Sequence, residues 1–276
     1  MIRHSFTYTA PSSLREALSL LKHSGTEVFT GDQAYVTGAK LGHSTPSSVI
    51  SLRNLSELKS VVQRDDQLII GSSITFAELL ESNAIQNVPV LLDAIRVIRD
   101  PHLKNHSNVG GALLYQSAIH GSILAAFLVL EGTLSIVALD GERELTLSDY
   151  LTEGLRIGEV IKCITLNINP NASGSFHAID YLKSGKVVCG IAALVNTKAE
   201  VISQIRLAVC GCVEIPQRLV SLENSLIGLK ASSESLSSPL DQLQEHSLGL
   251  YNVHISSTSY LLNLLKVLIK RAVLKS

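Results

Sequence analysis

The chain has 276 residues, enough for more than one compact unit. Hydrophobic residues make up 46% of it and charged residues 17%, which describes a folded globular protein and excludes a largely disordered one. A formal net charge of −1 offers no global field to attract nucleic acid or anionic lipid. Met1-Ile2-Arg3-His4 leads into polar residues rather than a signal-peptide core, and the longest apolar run, Ile123 to Leu130, is too short to span a bilayer. The expectation is a soluble cytoplasmic protein with neither nucleic-acid nor membrane partners.

Ser13-Leu14-Arg15-Glu16 has the form of a capping box and opens a helix striped by Leu14, Ala17, Leu18 and Leu21, with Gly25 as its stop. Glu27 to Thr30 reads as a short strand running into Gly31-Asp32-Gln33-Ala34-Tyr35, a glycine turn with small and polar residues after it. The next strand is Ser48 to Leu52, and Leu58 to Gln63 with Gln67 to Gly71 form a hairpin around Arg64-Asp65-Asp66. A second capping box at Thr75 to Glu78 starts another helix, and Val90 to Ile98 is an apolar helix leading to a turn at Pro101. Ser122 to Leu130 reads as a buried helix. Strands are expected at Thr133 to Leu139, Arg143 to Leu147 and Glu159 to Ile168, with Asp140-Gly141 as a tight turn. Pro170 to Gly174 marks a boundary. Beyond it come strands at Phe176 to Leu182, Val187 to Val195 and Val201 to Val213. Helices follow at Arg218 to Leu226, Leu240 to His246 and Thr258 to Leu274, and the serine-rich Ala231 to Ser238 reads as a loop.

The stretch from Arg99 to Leu113 carries the most chemistry. A basic and polar run after Pro101 leads through Ser107-Asn108 into Gly110-Gly111. Adjacent glycines let the backbone turn sharply and approach a bulky ligand, and successive N–H groups in such a turn suit a phosphate. With the Gly31 turn upstream, the expectation is two bare-backbone bends facing each other across a groove and jointly holding a diphosphate. No metal-ligand spacing accompanies them. Cys163, Cys189, Cys210 and Cys212 form no C-x2-C motif, and Cys210-Gly211-Cys212 lies in an alternating apolar run where buried strand thiols are expected. His102 and His106 are spaced i, i+4, but Pro101 and the nearby glycines argue against a helix there, and so against a joint metal site. Neither a Ser-His-Asp arrangement nor a motif of paired carboxylates is recognisable.

This order of elements, with Asp100-Pro101-x-x-Lys104-Asn105-x-x-x-Val109-Gly110-Gly111-x-Leu113, resembles the flavoprotein (medium) subunit of molybdenum hydroxylases, the xanthine dehydrogenase and aerobic carbon monoxide dehydrogenase family. Ala208 to Arg218 is similar to that family's Ala-Leu-Gly-Gly-Val-Ala-x-x-Pro-x-Arg, and Tyr260 to Ala272 to its closing helix. The resemblance implies an α+β protein: a two-subdomain FAD-binding fold of the vanillyl-alcohol-oxidase type, then a C-terminal three-stranded antiparallel sheet with a helical bundle. The matching boundaries are a small α/β subdomain at 1–56, an α+β subdomain at 57–170, and a C-terminal domain at 171–276. It implies FAD held by Val28, Phe29, Thr30, Gly31, Asp32, Gln33, Ala34 and Tyr35 on one side and by Asn108, Val109, Gly110, Gly111 and Ala112 on the other. Ser117 would stand near the cofactor, Ile161 against its flavin or adenine side, and Lys183 near the isoalloxazine, tuning it as a cation near the ring. It also implies a molybdenum-cofactor subunit and a [2Fe-2S] subunit as partners, with electrons passing through FAD to NAD+ or another acceptor.

This sequence departs from the family pattern in places. Asp32 replaces the second glycine of the first bend, and a carboxylate beside a diphosphate is repulsive unless it points away. Gly121 replaces an aspartate, and the segment between Lys183 and Cys189 is shortened. The alternative expectation is therefore a degenerate, flavin-free assembly subunit of such a complex. A free-standing flavoprotein reductase or oxidase is disfavoured by the absence of a second nucleotide fingerprint and by an aromatic content of 4%.

Overall fold

The computed structural model describes residues 5–42, 45–116, 120–181, 186–251 and 256–275, with backbone alone at Gln33, Ala34, His246 and Ser247. The chain forms two compact units. One comprises 1–84, 101–117 and 132–167, and the other 85–100, 118–131 and 168–276.

The first unit holds two sheets. Strands β1 (Thr7–Thr9), β2 (Thr26–Phe29) and β3 (Ser48–Ser51) pair in parallel in the order β1-β3-β2, linked by helices α1 (Leu14–Leu20) and α2 (Gln33–Leu41). Ser13 Oγ caps α1 by accepting from Glu16 N at 3.2 Å, while the Glu16 carboxylate returns to Ser12 N at 2.8 Å. The apolar stripe of Ala17, Leu18 and Leu21 then packs against Ile50, Leu52, Leu55 and Leu58. Parallel pairing matters for function: successive strands carry their C-terminal ends to the same edge, where ligands of open α/β sheets bind.

The second sheet of this unit is antiparallel, in the order β4-β5-β8-β6-β7, from Val61–Arg64, Gln67–Gly71, Val160–Asn167, Thr133–Ala138 and Gly141–Thr146. Asp65, at φ 49°, turns the β4-β5 hairpin. Thr75 and Glu78 close a full capping box at the start of α3 (Phe76–Glu81), with bonds of 3.1 and 2.8 Å. Pro101 does not make the expected turn. It opens a short helix, α5 (Pro101–His106), because proline lacks an N–H that the first helical turn leaves unsatisfied anyway. Helices α6 (Val109–Tyr115) and α8 (Leu147–Glu153) complete the unit.

The other unit is built on β9 (Ser173–Asp180), β10 (Val187–Lys198) and β11 (Val201–Cys210), extended by the two-residue β12 (Gln217–Arg218), all antiparallel. Helices α4 (Pro89–Arg96) and α7 (Gly121–Val129) belong here, and every residue of α7 is buried, as an apolar sequence with no polar face demands. On β10 and β11 the core residues are met by Leu261, Leu265, Leu268 and Ile269 of α12 (Thr258–Leu274). Helices α9 (Val220–Leu226) and α11 (Glu245–Leu248) flank it. The expected serine-rich loop is instead α10 (Ser233–Asp241): Ser232 caps it by accepting from Ser235 N, and Leu236 and Leu240 are buried. Serine's preference for caps decides the start, and two apolar residues four apart decide the rest. Among the described residues no helix is long and apolar enough to cross a membrane.

Candidate cofactor-binding site

The first bend follows β2. Thr30 is buried, Gly31 takes φ +97°, and α2 begins at Gln33, so the chain reverses within three residues of the strand end. That φ is open to glycine and strained for other residues. Arg53, two residues past the adjacent strand β3, lays its stem over Gly31: a Cβ there would come within 3.0 Å of Arg53 Cδ and 3.6 Å of Nε. Phe29 pairs with Ser51 across the two strands, which sets both features at one sheet edge.

At the second bend, Gly110 and Gly111 do not form a turn. They occupy the first turn of α6, which Asn108 caps by accepting from Gly111 N at 2.7 Å. The other leading amides are also engaged: Val109 N donates to Ile74 O at 3.1 Å, Gly110 N to Ser72 O at 2.7 Å and Ala112 N to Asn108 O at 3.0 Å. Backbone donors that would cradle a phosphate here are spent inside the protein.

The two bends meet directly. Asn108 Nδ2 donates to Thr30 O at 2.6 Å, and Tyr115 Oη donates to Val28 O at 2.9 Å. The Tyr35 ring lies between those of Phe29 and Tyr115, at 5.4 and 5.8 Å. The glycines make this approach possible. A Cβ on Gly110 would fall 2.9 Å from Ser72 O and 3.4 Å from Thr30 Cγ2; one on Gly111 would fall 2.5 Å from Asp32 Cβ. Asp32, wholly buried, therefore rests its side chain on the face of Gly111. In place of the expected groove there is contact.

Beside this contact lies a cavity of about 20 Å³ whose wall includes Val28, Thr30, Ser72, Gly110, Glu159 and Ile161. Such a space has room for about one water. Among the described residues, the buried hydroxyls Thr30 Oγ1 and Ser107 Oγ make no hydrogen bond, one at each bend. Glu159 is clamped by Arg143, whose Nε and Nη2 donate at 2.7 and 2.9 Å, and accepts from Arg156 N at 2.8 Å. These bonds, the Arg143 guanidinium first, hold its carboxyl below the usual value of 4.5. Burial raises the phenols of Tyr115 and Tyr150, the latter to about 12, and Tyr150 Oη donates to Leu113 O at 3.1 Å.

Of the residues expected at a cofactor, Val28, Thr30, Gly110 and Ile161 thus share one cavity wall. Phe29, Gly31, Asp32 and Tyr35 line the first bend, where Gln33 and Ala34 supply the first backbone units of α2; Asn108, Val109, Gly111 and Ala112 belong to the capped start of α6. Ser117 and Lys183 lie outside the described residues. Gly121 is in the other unit, where its Cβ position is 3.4 Å from Cys210 Cβ. Arg53 and Glu159 were not singled out from sequence. For Arg53 the available signal was its place just past a strand next to the glycine turn; for Glu159, whose partner is sixteen positions away, there was none.

A cofactor diphosphate needs donors and a cation, and the bends offer the buried hydroxyls of Thr30 and Ser107 and the Arg53 side chain over Gly31. Those residue types fit that group. No group of three or more metal-binding side chains occurs among the described residues. His102 and His106 stack at 4.4 Å between ring centroids, which the α5 helix brings about. In the other unit Cys189 and Cys212 place their sulfurs 3.6 Å apart, both buried, and Cys210 is buried beside them. Arg218, which ends the Ala208 to Arg218 motif, donates from Nε to Glu223 at 3.0 Å, and Glu223 also accepts from Leu207 N at 2.8 Å. That motif serves the fold.

Residues 4–166 match the family described as "FAD binding domain in molybdopterin dehydrogenase". The chain is 26% identical over 281 residues to the 6-hydroxypseudooxynicotine dehydrogenase complex subunit alpha of Paenarthrobacter nicotinovorans, covering 99% of this chain and 94% of that protein. It is 26% identical over 255 residues to the carbon monoxide dehydrogenase medium chain of Hydrogenophaga pseudoflava, covering 87% and 86%. Its fold superimposes on a chain of carbon monoxide dehydrogenase from Hydrogenophaga pseudoflava with a TM-score of 0.91 at 20% identity, covering 99% and 97%. On quinoline 2-oxidoreductase from Pseudomonas putida 86 the TM-score is 0.89 at 21% identity, covering 98% and 96%.

Proposed function

The chain belongs to the FAD-binding domain family of molybdopterin dehydrogenases, and from that premise we propose that it is the FAD-binding electron-transfer subunit of a molybdenum hydroxylase. The observation that carries this reading is the first bend: a glycine at φ +97° between a parallel strand and the start of α2, inside the segment that matches the family. Its partners would be a subunit with the molybdenum cofactor and one with [2Fe-2S] clusters. The names of the relatives support that assignment, being those of a complex subunit and a medium chain. NAD+ or another acceptor would take the electrons. Bound FAD supplies the electron-carrying chemistry. The chain's part is to fix and shield it: Val28 to Tyr35 hold the diphosphate end, Asn108 to Ala112 buttress that bend from behind, Ile161 lies toward the flavin, and Ser117 and Lys183 act near the ring.

Adding FAD to the purified chain tests this. A yellow, stoichiometric complex that co-purifies with the two partner subunits is expected. A second reading, a flavin-free assembly subunit, is favoured by the Asp32 side chain on Gly111 and by a cavity of only about 20 Å³. It predicts a colourless chain that still binds both partners after FAD is supplied.

A further inference from the structure

We propose that the unit containing residues 168–276 carries a ligand site of its own, at a one-residue gap in the edge of its sheet beside Ile205. Its ligand would be a neutral planar heterocycle with a carbonyl-type acceptor and an N–H donor side by side, as in a lactam. Strand β12 covers the edge of β11 only at Ala208 and Val209. Just before them Leu207 turns its peptide groups outward: its N–H donates to Glu223 at 2.8 Å, and its carbonyl accepts from Leu219 N at 2.9 Å. Antiparallel pairing alternates in direction, and the register with β10 is unbroken from Leu207 to Ile205. Ile205 therefore points its N–H and C=O to that same edge, where no strand pairs with it. At Ile202 the edge is closed again: Ile202 N donates to Leu229 O, and its carbonyl accepts from Gly228 N, both at 2.9 Å.

A cavity of about 240 Å³ opens at this gap, walled by Ile205 on one side and by Val220, Asn224 and Ile227 of α9 and its end on the other. Both ends of the gap are blocked, so an added peptide strand, which needs several consecutive edge residues, has no room. A planar ligand that makes two bonds to one residue does. Val220 and Ile227, 52% and 48% exposed, supply apolar surface for its ring. Asn196, Gln204 and Asn224 add uncharged donors and acceptors. The two cations of the wall are already matched, Arg206 by Glu131 at 2.7 Å and Arg218 by Glu223, so a charged ligand would have to break an ion pair and a neutral one would not. The site lies wholly within that unit and stands whether or not the chain binds FAD.

The test titrates the full chain with isoindolinone, a planar bicyclic lactam, and with N-methylisoindolinone, which keeps the ring and carbonyl and lacks the N–H. Ligand-observed NMR is the readout, and thermal melts check the fold of the variant. Isoindolinone should bind with a dissociation constant of about 1 mM or below, as a well-placed fragment of its size can. The N-methyl compound should bind at least about fivefold more weakly, because it leaves the Ile205 carbonyl without a donor. Asn224→Phe, an exposed position whose larger side chain would fill the gap, should weaken isoindolinone by about fivefold or more with the melt unchanged. The proposal is overturned if isoindolinone fails to bind at about 10 mM, if its N-methyl derivative binds equally well, or if folded Asn224→Phe binds it like the wild type. The comparison of the two lactams on the wild-type chain decides even if that variant does not fold.

Discussion

The two glycine bends of the N-terminal unit look alike in sequence and do opposite work. At Gly110-Gly111 the backbone is closed: its amides are capped by Asn108, Ser72 and Ile74, and its bare faces receive Ser72, Thr30 and Asp32. At Gly31 the backbone is buried and at positive φ, with the Arg53 side chain laid across it and a helix starting beside it. Glycine is needed in both places, at Gly110-Gly111 for want of a Cβ and at Gly31 for its positive φ. A glycine pair therefore signals close approach without saying what approaches.

The sharpest way to break this contrast is at Asn108, which joins the bends. Asn108→Ala removes the cap on α6 and leaves Thr30 O buried without its donor, an expected loss of about 2–4 kcal/mol in urea unfolding. A loss under 1 kcal/mol would show that the two bends are not tied through this side chain. Gly111→Ala forces a methyl onto Asp32 and should destabilise by about 1–3 kcal/mol. Asp32→Gly in the same chain should recover most of it, because the two sites share one space. Equal losses with and without Asp32 would place the clash elsewhere.

The Glu159–Arg143 clamp on the cavity wall gives a pH signature. The folded carboxyl sits below 4.5, so its contribution is complete above that value and falls away as pH drops through the lowered one. Arg143→Ala should cost about 1.5–3 kcal/mol at pH 7 and progressively less below pH 4.5. A cost that stays constant down to pH 3 would rule the clamp out. The smallest stability effect is expected at Gly31→Ala, roughly 1–2 kcal/mol from the φ alone, since Arg53 is flexible enough to move aside. There the larger loss should appear in FAD affinity, the reverse of Gly111→Ala.

Most of the fold was legible because burial leaves a period in the sequence. The stripe of Leu261, Leu265, Leu268 and Ile269 announces α12, and the Thr75 to Glu78 box announces α3. The helices at Pro101 and Ser233 were missed where proline and serine were read as breakers, although both residues favour the very start of a helix. At the site, the positions of both bends could be read but not their contact. That contact depends on Asn108 reaching Thr30 across 78 positions and on a side chain filling the space over Gly111. Nothing local encodes such a meeting.

A crystal structure of the chain with FAD bound tests the central claim most directly. The diphosphate should lie against the bend at Gly31 and the start of α2. A diphosphate bound away from that bend, or a chain that takes up no FAD, would contradict it.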